Sequence, residues 1–162
     1  MREDIRVSIL NRRAFLVSAV AVAGLTPFLV YAETSSSLTL ERSKQFEEDF
    51  ARIVAGATPV EGRIAVDLPE LAENGNFVPI TIAVDSPMTD ADYVKAIHLL
   101  STANPFAHVA TFHLSPLNAL ARVQTRMRLA KTQDVVTLAE LSTGEMLIAT
   151  TLVKVTIGGC AS

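Results

Sequence analysis

From Pro59 onward the apolar residues of this chain recur at every second position, and they hold that period as far as Ile157. A period of two belongs to strands with one face turned to a core, whereas an amphipathic helix repeats every 3.6 residues. Ile64, Val66 and Leu68 alternate with Arg63, Ala65 and Asp67. Beyond the turn chemistry of Glu73-Asn74-Gly75-Asn76, the residues Val78, Ile80, Ile82 and Val84 share a face. Further strand-like runs are Tyr93 to Leu100, His108 to Leu114, Ala119 to Leu129, Val135 to Leu141 and Met146 to Ile157. They are separated by Asp85-Ser86-Pro87, Pro105, Ser115-Pro116 and Ser142-Thr143-Gly144. Roughly seven short strands at this spacing predict a mainly β domain over residues 59–157, an immunoglobulin-like antiparallel β-sandwich. Pro79, which has no N–H to give a ladder, predicts an edge position or a bulge for its strand. Val135-Val136 and the Met146 to Ile157 run are apolar on both faces in places. A small sandwich does not easily cover both sheets alone, so this pattern predicts a heterodimer with a second β-sandwich subunit.

Before Pro59 the period is different. Between Thr39 and Ala55 the residues Phe46, Phe50, Ile53 and Val54, with Ala57 beyond, follow i, i+4, i+7, i+8 spacing. Glu47, Glu48, Asp49 and Arg52 take the other faces. This predicts one amphipathic helix packed by its phenylalanine stripe and stopped at Gly56. Residues 33–58 therefore comprise a polar start, Glu33-Thr-Ser-Ser-Ser-Leu38, followed by that helix.

Residues 1–32 read as a cleavable signal peptide. Asn11-Arg12-Arg13-Ala14-Phe15-Leu16 has the twin-arginine pair of a Tat export signal. The apolar run from Ala14 to Val30 is diluted by Ser18, Gly24, Thr26 and Pro27, and it closes on Val30-Tyr31-Ala32, small residues of the kind an export peptidase reads. Cleavage is expected between Ala32 and Glu33, and the mature chain is expected in the periplasm without a stable membrane anchor. The formal charge of the chain is −3, and without residues 1–32 it becomes −5. So acidic a chain with scattered bases is a poor partner for nucleic acid.

Cys160 is the only cysteine, and it follows Ile157-Gly158-Gly159 directly. An exported protein that relied on disulfides would carry cysteines in pairs, so a single one points to a reactive thiol or an intermolecular bond. The flanking glycines predict a loose backbone: residues 158–162 read as an arm, with Gly158 and Gly159 as its hinge, that presents the thiol beyond the last strand. No base lies within the arm, and the Ser162 carboxylate opposes thiolate formation. The thiol is thus poorly placed as a self-sufficient nucleophile and well placed as a handle activated inside another protein.

Other candidates carry less. His98, His108 and His113 lie on strand-like runs with no second cysteine or helical His-x-x-x-His pair, so no metal site is expected. Arg122, Arg126 and Arg128 share a face with Gln124, as a solvated outer face would or as a surface for an anion or partner. No dinucleotide-type or phosphate-loop glycine pattern is present.

Taken together these residues resemble the SoxY family, the sulfur-carrying subunits of bacterial thiosulfate oxidation. The resemblance runs over essentially the whole chain. It rests on the twin-arginine signal, the N-terminal helix, Glu73-Asn74-Gly75-Asn76 leading into Val78-Pro79-Ile80, and Val155-Thr156-Ile157-Gly158-Gly159-Cys160. The family usually ends Gly-Gly-Cys-Gly-Gly, and here Ala161 and Ser162 replace the last two glycines. The resemblance implies a carrier without cofactors that pairs with a SoxZ-like subunit and bears sulfur covalently on Cys160. It implies transient docking to a haem-containing SoxAX-like enzyme that loads thiosulfate, to a dimanganese SoxB-like hydrolase that releases sulfate, and, where present, to a SoxCD-like sulfane dehydrogenase. Two other readings of the residues stand beside it: a thiol sulfurtransferase or peroxidase using Cys160 as nucleophile, and a secreted structural module dimerising through the same cysteine.

Overall fold

A computed structural model describes residues 40–159. The signal-peptide expectations at Arg12, Arg13, Ala32 and Glu33, and Cys160 itself, lie outside the described residues. The described chain is a two-layer β-sandwich with one helix ahead of it, as the change of period at Pro59 predicts.

Helix α1 spans Lys44–Val54. It starts later than the pattern from Thr39 indicates, because Ser43 takes the N-cap: its extended backbone turns the side-chain oxygen to accept the Phe46 N–H at 3.1 Å. The Ser43 N–H in turn donates to the Thr102 carbonyl at 2.7 Å, tying the helix start to the sheet. Ala55 adopts the left-handed conformation (φ 49°) and Gly56 follows at φ 85°, which ends the helix where predicted.

Among the described residues nine strands follow: β1 Val60–Glu61, β2 Ile64–Asp67, β3 Leu71–Asn74, β4 Val78–Val84, β5 Val94–Ser101, β6 His108–His113, β7 Ala121–Met127, β8 Gln133–Leu141 and β9 Met146–Ile157. The larger sheet runs β1-β9-β8-β5-β6 with β3 added to the far end of β9, and the smaller runs β2-β4-β7. A 3-10 turn at Pro116–Asn118 delays the start of β7 to Ala121. The expectation of a purely antiparallel sandwich is corrected. Val60 pairs with Leu147, and Ala72 with Val155, in parallel ladders. Both strands are short and come from loop-like stretches, so neither has enough alternation to be read from sequence.

The main core fills the space between the sheets, with Ile80, Ile82, Ile97, Leu99, Leu129, Leu141 and Leu147 essentially sealed from solvent. A second cluster lies on the outer face of the larger sheet. There Leu100, Val136, Leu138 and Met146 are covered by Phe46 and Val54 of α1, with Phe50 and Ile53 alongside. The second apolar face around Val136 is thus covered by the chain's own helix, which removes that pattern as a reason to require a partner.

β4 is the central strand of its sheet, yet Pro79 still sits at an edge. β2 reaches only from Thr81 to Val84, so at Pro79 the strand has β7 on one side, opposite Arg126, and no strand on the other. Among the described residues no helix is long and apolar enough to cross a membrane.

Candidate functional site

The last strand and what surrounds its end define the site. β9 is antiparallel to β8 until Gln133 faces Val153, where β8 gives out. From there the strand is held by other elements. The Val155 N–H donates to Thr132 Oγ1 at 2.9 Å, and β3 runs parallel alongside from Leu71 to Asn74.

The chain then enters a ring of three backbone hydrogen bonds. The Gly75 N–H donates to the Ile157 carbonyl at 2.7 Å, the Leu129 N–H to the Gly75 carbonyl at 2.8 Å, and the Gly159 N–H to the Leu129 carbonyl at 2.8 Å. Gly75 and Gly159 are buried, and Leu129 is wholly so. A side chain at Gly159 would overlap the backbone of Gly75 and Asn76. One at Gly158 would overlap the Ala130 carbonyl oxygen, and one at Gly75 would meet the Leu129 carbonyl oxygen and lie 2.8 Å from Gly159 N. The glycines read as a hinge in the sequence thus have a second reason to lack side chains: three segments of backbone pack against one another here, and only glycine permits the approach.

Cys160 is one residue beyond this ring. Gly159 itself lies against the backbone of Gly75 and Asn76, within the Asn74–Asn76 turn. That turn is closed by Asn74, whose Oδ1 accepts the Asn76 N–H at 2.9 Å. Beside it opens a recess of about 460 Å³ whose lining includes Asn76, Phe77, Phe106, His108, Arg126 and Arg128. Phe77 and Phe106 are exposed, at 59% and 84%. The arginine face of β7 is solvated as expected, and Arg126 and Arg128 bring two positive charges to the recess that suit anionic groups. Sequence reasoning missed this placement: Phe77, Phe106 and the arginines share no period, and they meet only because the β4–β7 pair lies beside the loop between β5 and β6.

The histidines divide. His98 Nδ1 and His108 Nε2 both lie within hydrogen-bond distance of Thr111 Oγ1, at 2.9 and 2.8 Å. Burial, and after it the neighbouring His108, hold the His98 imidazole below its ordinary value. His113 is exposed at the end of β6. Among the described residues no group of three or more His, Cys, Asp or Glu side chains converges as a metal site would require.

A further set of buried amides was not singled out by the sequence. Asn104 and Gln133 are 5% and 0% exposed. Asn104 Nδ2 donates to the Arg128 carbonyl at 2.8 Å, and its Oδ1 accepts from the Ala130 N–H at 2.9 Å and from Gln133 Nε2 at 2.7 Å. Gln133 Nε2 also reaches the Lys131 carbonyl at 3.1 Å, while its Oε1 accepts the Ala103 N–H at 2.7 Å. The β7–β8 loop that meets Gly159 is therefore held from beneath.

Comparison with known proteins shows the family and agrees with the fold. The family described as "Sulfur oxidation protein SoxY" matches residues 51–160, a segment whose last residue is Cys160. Among solved structures, the sulfur carrier protein SoxY from Chlorobium limicola f thiosulfatophilum is similar at 32% identity and a TM-score of 0.59, over 70% of this chain and 97% of that one. A superoxide reductase (neelaredoxin) from Ignicoccus hospitalis aligns at 17% identity and a TM-score of 0.53, over 58% of this chain and 80% of that one, a likeness of fold alone. No curated protein sequence matches the chain.

Proposed function

The chain belongs to the SoxY family of sulfur oxidation proteins, and from that membership we propose that it is a sulfur carrier rather than an enzyme, with Cys160 as the point of attachment. The observation that carries the proposal is that the family match runs through the ordered base of the arm to the only cysteine in the sequence. Gly158 and Gly159 lead the arm out of β9. In loading, a bond forms between the cysteine sulfur and the terminal sulfur of thiosulfate, the thiol proton is released, and two electrons pass to a haem-containing partner. The product is a cysteine S-thiosulfonate. Hydrolysis by a dimanganese partner breaks the bond between the outer sulfane sulfur and the sulfonate sulfur, giving sulfate and leaving a persulfide on Cys160. A sulfane dehydrogenase, where present, would take six electrons from that outer sulfur while three waters supply its oxygens, giving a cysteine S-sulfonate whose hydrolysis releases a second sulfate and the free thiol.

The carrier's own contribution is geometric and electrostatic. A fixed sheet delivers the sulfur in one place, so each partner enzyme meets a bound substrate of defined orientation. Arg126 and Arg128 near the arm favour thiosulfate and the anionic adduct. We further propose Tat export, a periplasmic location and a heterodimer with a SoxZ-like subunit. The partner proposal rests on family membership, because α1 already covers the second apolar face.

Intact-mass spectrometry in a reconstituted thiosulfate-oxidising system tests the reading. The wild-type chain should gain thiosulfate-dependent mass, and Cys160→Ser should fold normally, gain none and stop oxidation. Adducts persisting on the serine variant, or oxidation continuing at the original rate, would overturn the proposal.

A further inference from the structure

We propose that Gly75, Asn104 and Gln133 are positioning residues for the carrier thiol, and that they move the start of the arm's freedom from Ile157 to Gly159. The inference rests on the carrier reading only for what the thiol does. Its geometric content stands apart.

A loose glycine pair would free the chain at Ile157. Instead the Gly159 N–H is satisfied by Leu129, and Leu129 and Ile157 are both tied to Gly75, so the three segments close on one another. Rotation about Gly158 would break the Gly159 bond and lift a buried backbone amide away from its acceptor. The restraint depends on the acceptor staying in place, and Leu129 sits in a loop that no strand pairing holds. The two buried carboxamides supply that hold. They grip the loop at Arg128, Ala130 and Lys131, on both sides of Leu129.

Asn104 and Gln133 are also bonded to each other, with Asn104 Oδ1 taking two donors and Gln133 Oε1 a third. Buried amides are tolerated when their hydrogen bonds are made, and apolar residues would fill the same space without fixing a loop. Gly75 completes the arrangement by leaving room for Gly159. With the root fixed as far as the Gly159 amide, the arm's freedom begins at Gly159. The free length of chain ahead of Cys160 is then one residue, Gly159, instead of three from Ile157. A short throw means that a partner enzyme's opening must come down onto the Asn74–Asn76 turn and the Arg128–Lys131 loop to receive the sulfur.

Amide hydrogen exchange on the isolated wild-type protein, with a nitroxide label on its single cysteine, tests this. The Gly159 amide should exchange at least about tenfold more slowly than an unstructured glycine, the protection expected of one retained hydrogen bond. The label should give a restricted spectrum that narrows in Gly75→Ala and in Gln133→Leu, while amides of β5 and β8 keep their protection. Exchange of Gly159 at the unstructured rate overturns the proposal outright. So does an unchanged spectrum in a folded Gly75→Ala variant. If that variant does not fold, the wild-type Gly159 rate decides alone. None of these readings involves sulfur chemistry, so their failure leaves the carrier function standing, and loss of the carrier function leaves them untouched.

Discussion

The guanidinium carbon of Arg126 lies 4.3 Å from the centroid of the Phe77 ring, on the rim of the recess beside the arm. The contact holds a half-exposed aromatic and a permanent charge together across the β4–β7 pair, and at such a site it contributes about 0.5–1 kcal/mol. Its electrostatic effect reaches further. With Arg128, it should raise the local concentration of anions around the thiol. The double change Arg126→Gln, Arg128→Gln should slow reaction of Cys160 with a dianionic aromatic disulfide by roughly threefold to tenfold at low salt. It should barely alter reaction with a neutral pyridyl disulfide, and the difference should vanish near 1 M salt. Equal slowing with both reagents would count against a charge effect.

The helix is part of the fold's stability, not an appendage. Phe46 is 1% exposed over Leu100, Val136 and Leu138, so Phe46→Ala should cost about 3–5 kcal/mol. Urea unfolding should show the lowered midpoint. The cap at Ser43 is worth less, about 1 kcal/mol on Ser43→Ala.

Stability should fall on acidification in a window set by His98. Its value in the fold is below the ordinary 6.5 because burial disfavours the charged ring. Above 6.5 the ring is neutral whether the chain is folded or not. Below it the unfolded chain binds a proton that the folded chain resists, so stability present at neutral pH is progressively lost as pH falls. Melting temperature followed from pH 7.5 downward should show this slope, and His98→Gln should flatten it. Asp49 titrates separately: its hydrogen bond to Arg52 lowers it from 3.8, so its contribution disappears only in stronger acid.

Export is tested at the twin arginines. Arg12→Lys with Arg13→Lys should leave precursor in the cytoplasm, seen by fractionation and immunoblotting. Unchanged periplasmic yield would remove the Tat assignment.

The strands from Val78 to Ile157 were legible because each is long enough for alternation to show and is bounded by proline, glycine or serine. Their pairing order was not, since a period of two marks a strand but not its neighbour. β1 and β3 escaped because two to four residues give no period. Cys160 stands out from composition alone. The residues that hold its root do not: Gly75 reads as turn chemistry, and Asn104 and Gln133 read as polar residues in a loop and at a strand start. Their role exists only where loops distant in sequence meet, and the same holds for the recess formed by Phe77, Phe106 and Arg126.

β9 has strands on both sides, β8 on one and the parallel β1 and β3 on the other. The final strand is therefore an interior one, and β1 and β3 have nothing to pair with until it exists. Such long-range closure is slow to form, since the intervening chain must be ordered first. It also makes assembly of the domain and seating of Gly159 a single event. A chain interrupted before Met146, or caught partly folded, has no docking place for Gly159, so a seated Gly159 reports that the strands around it are complete.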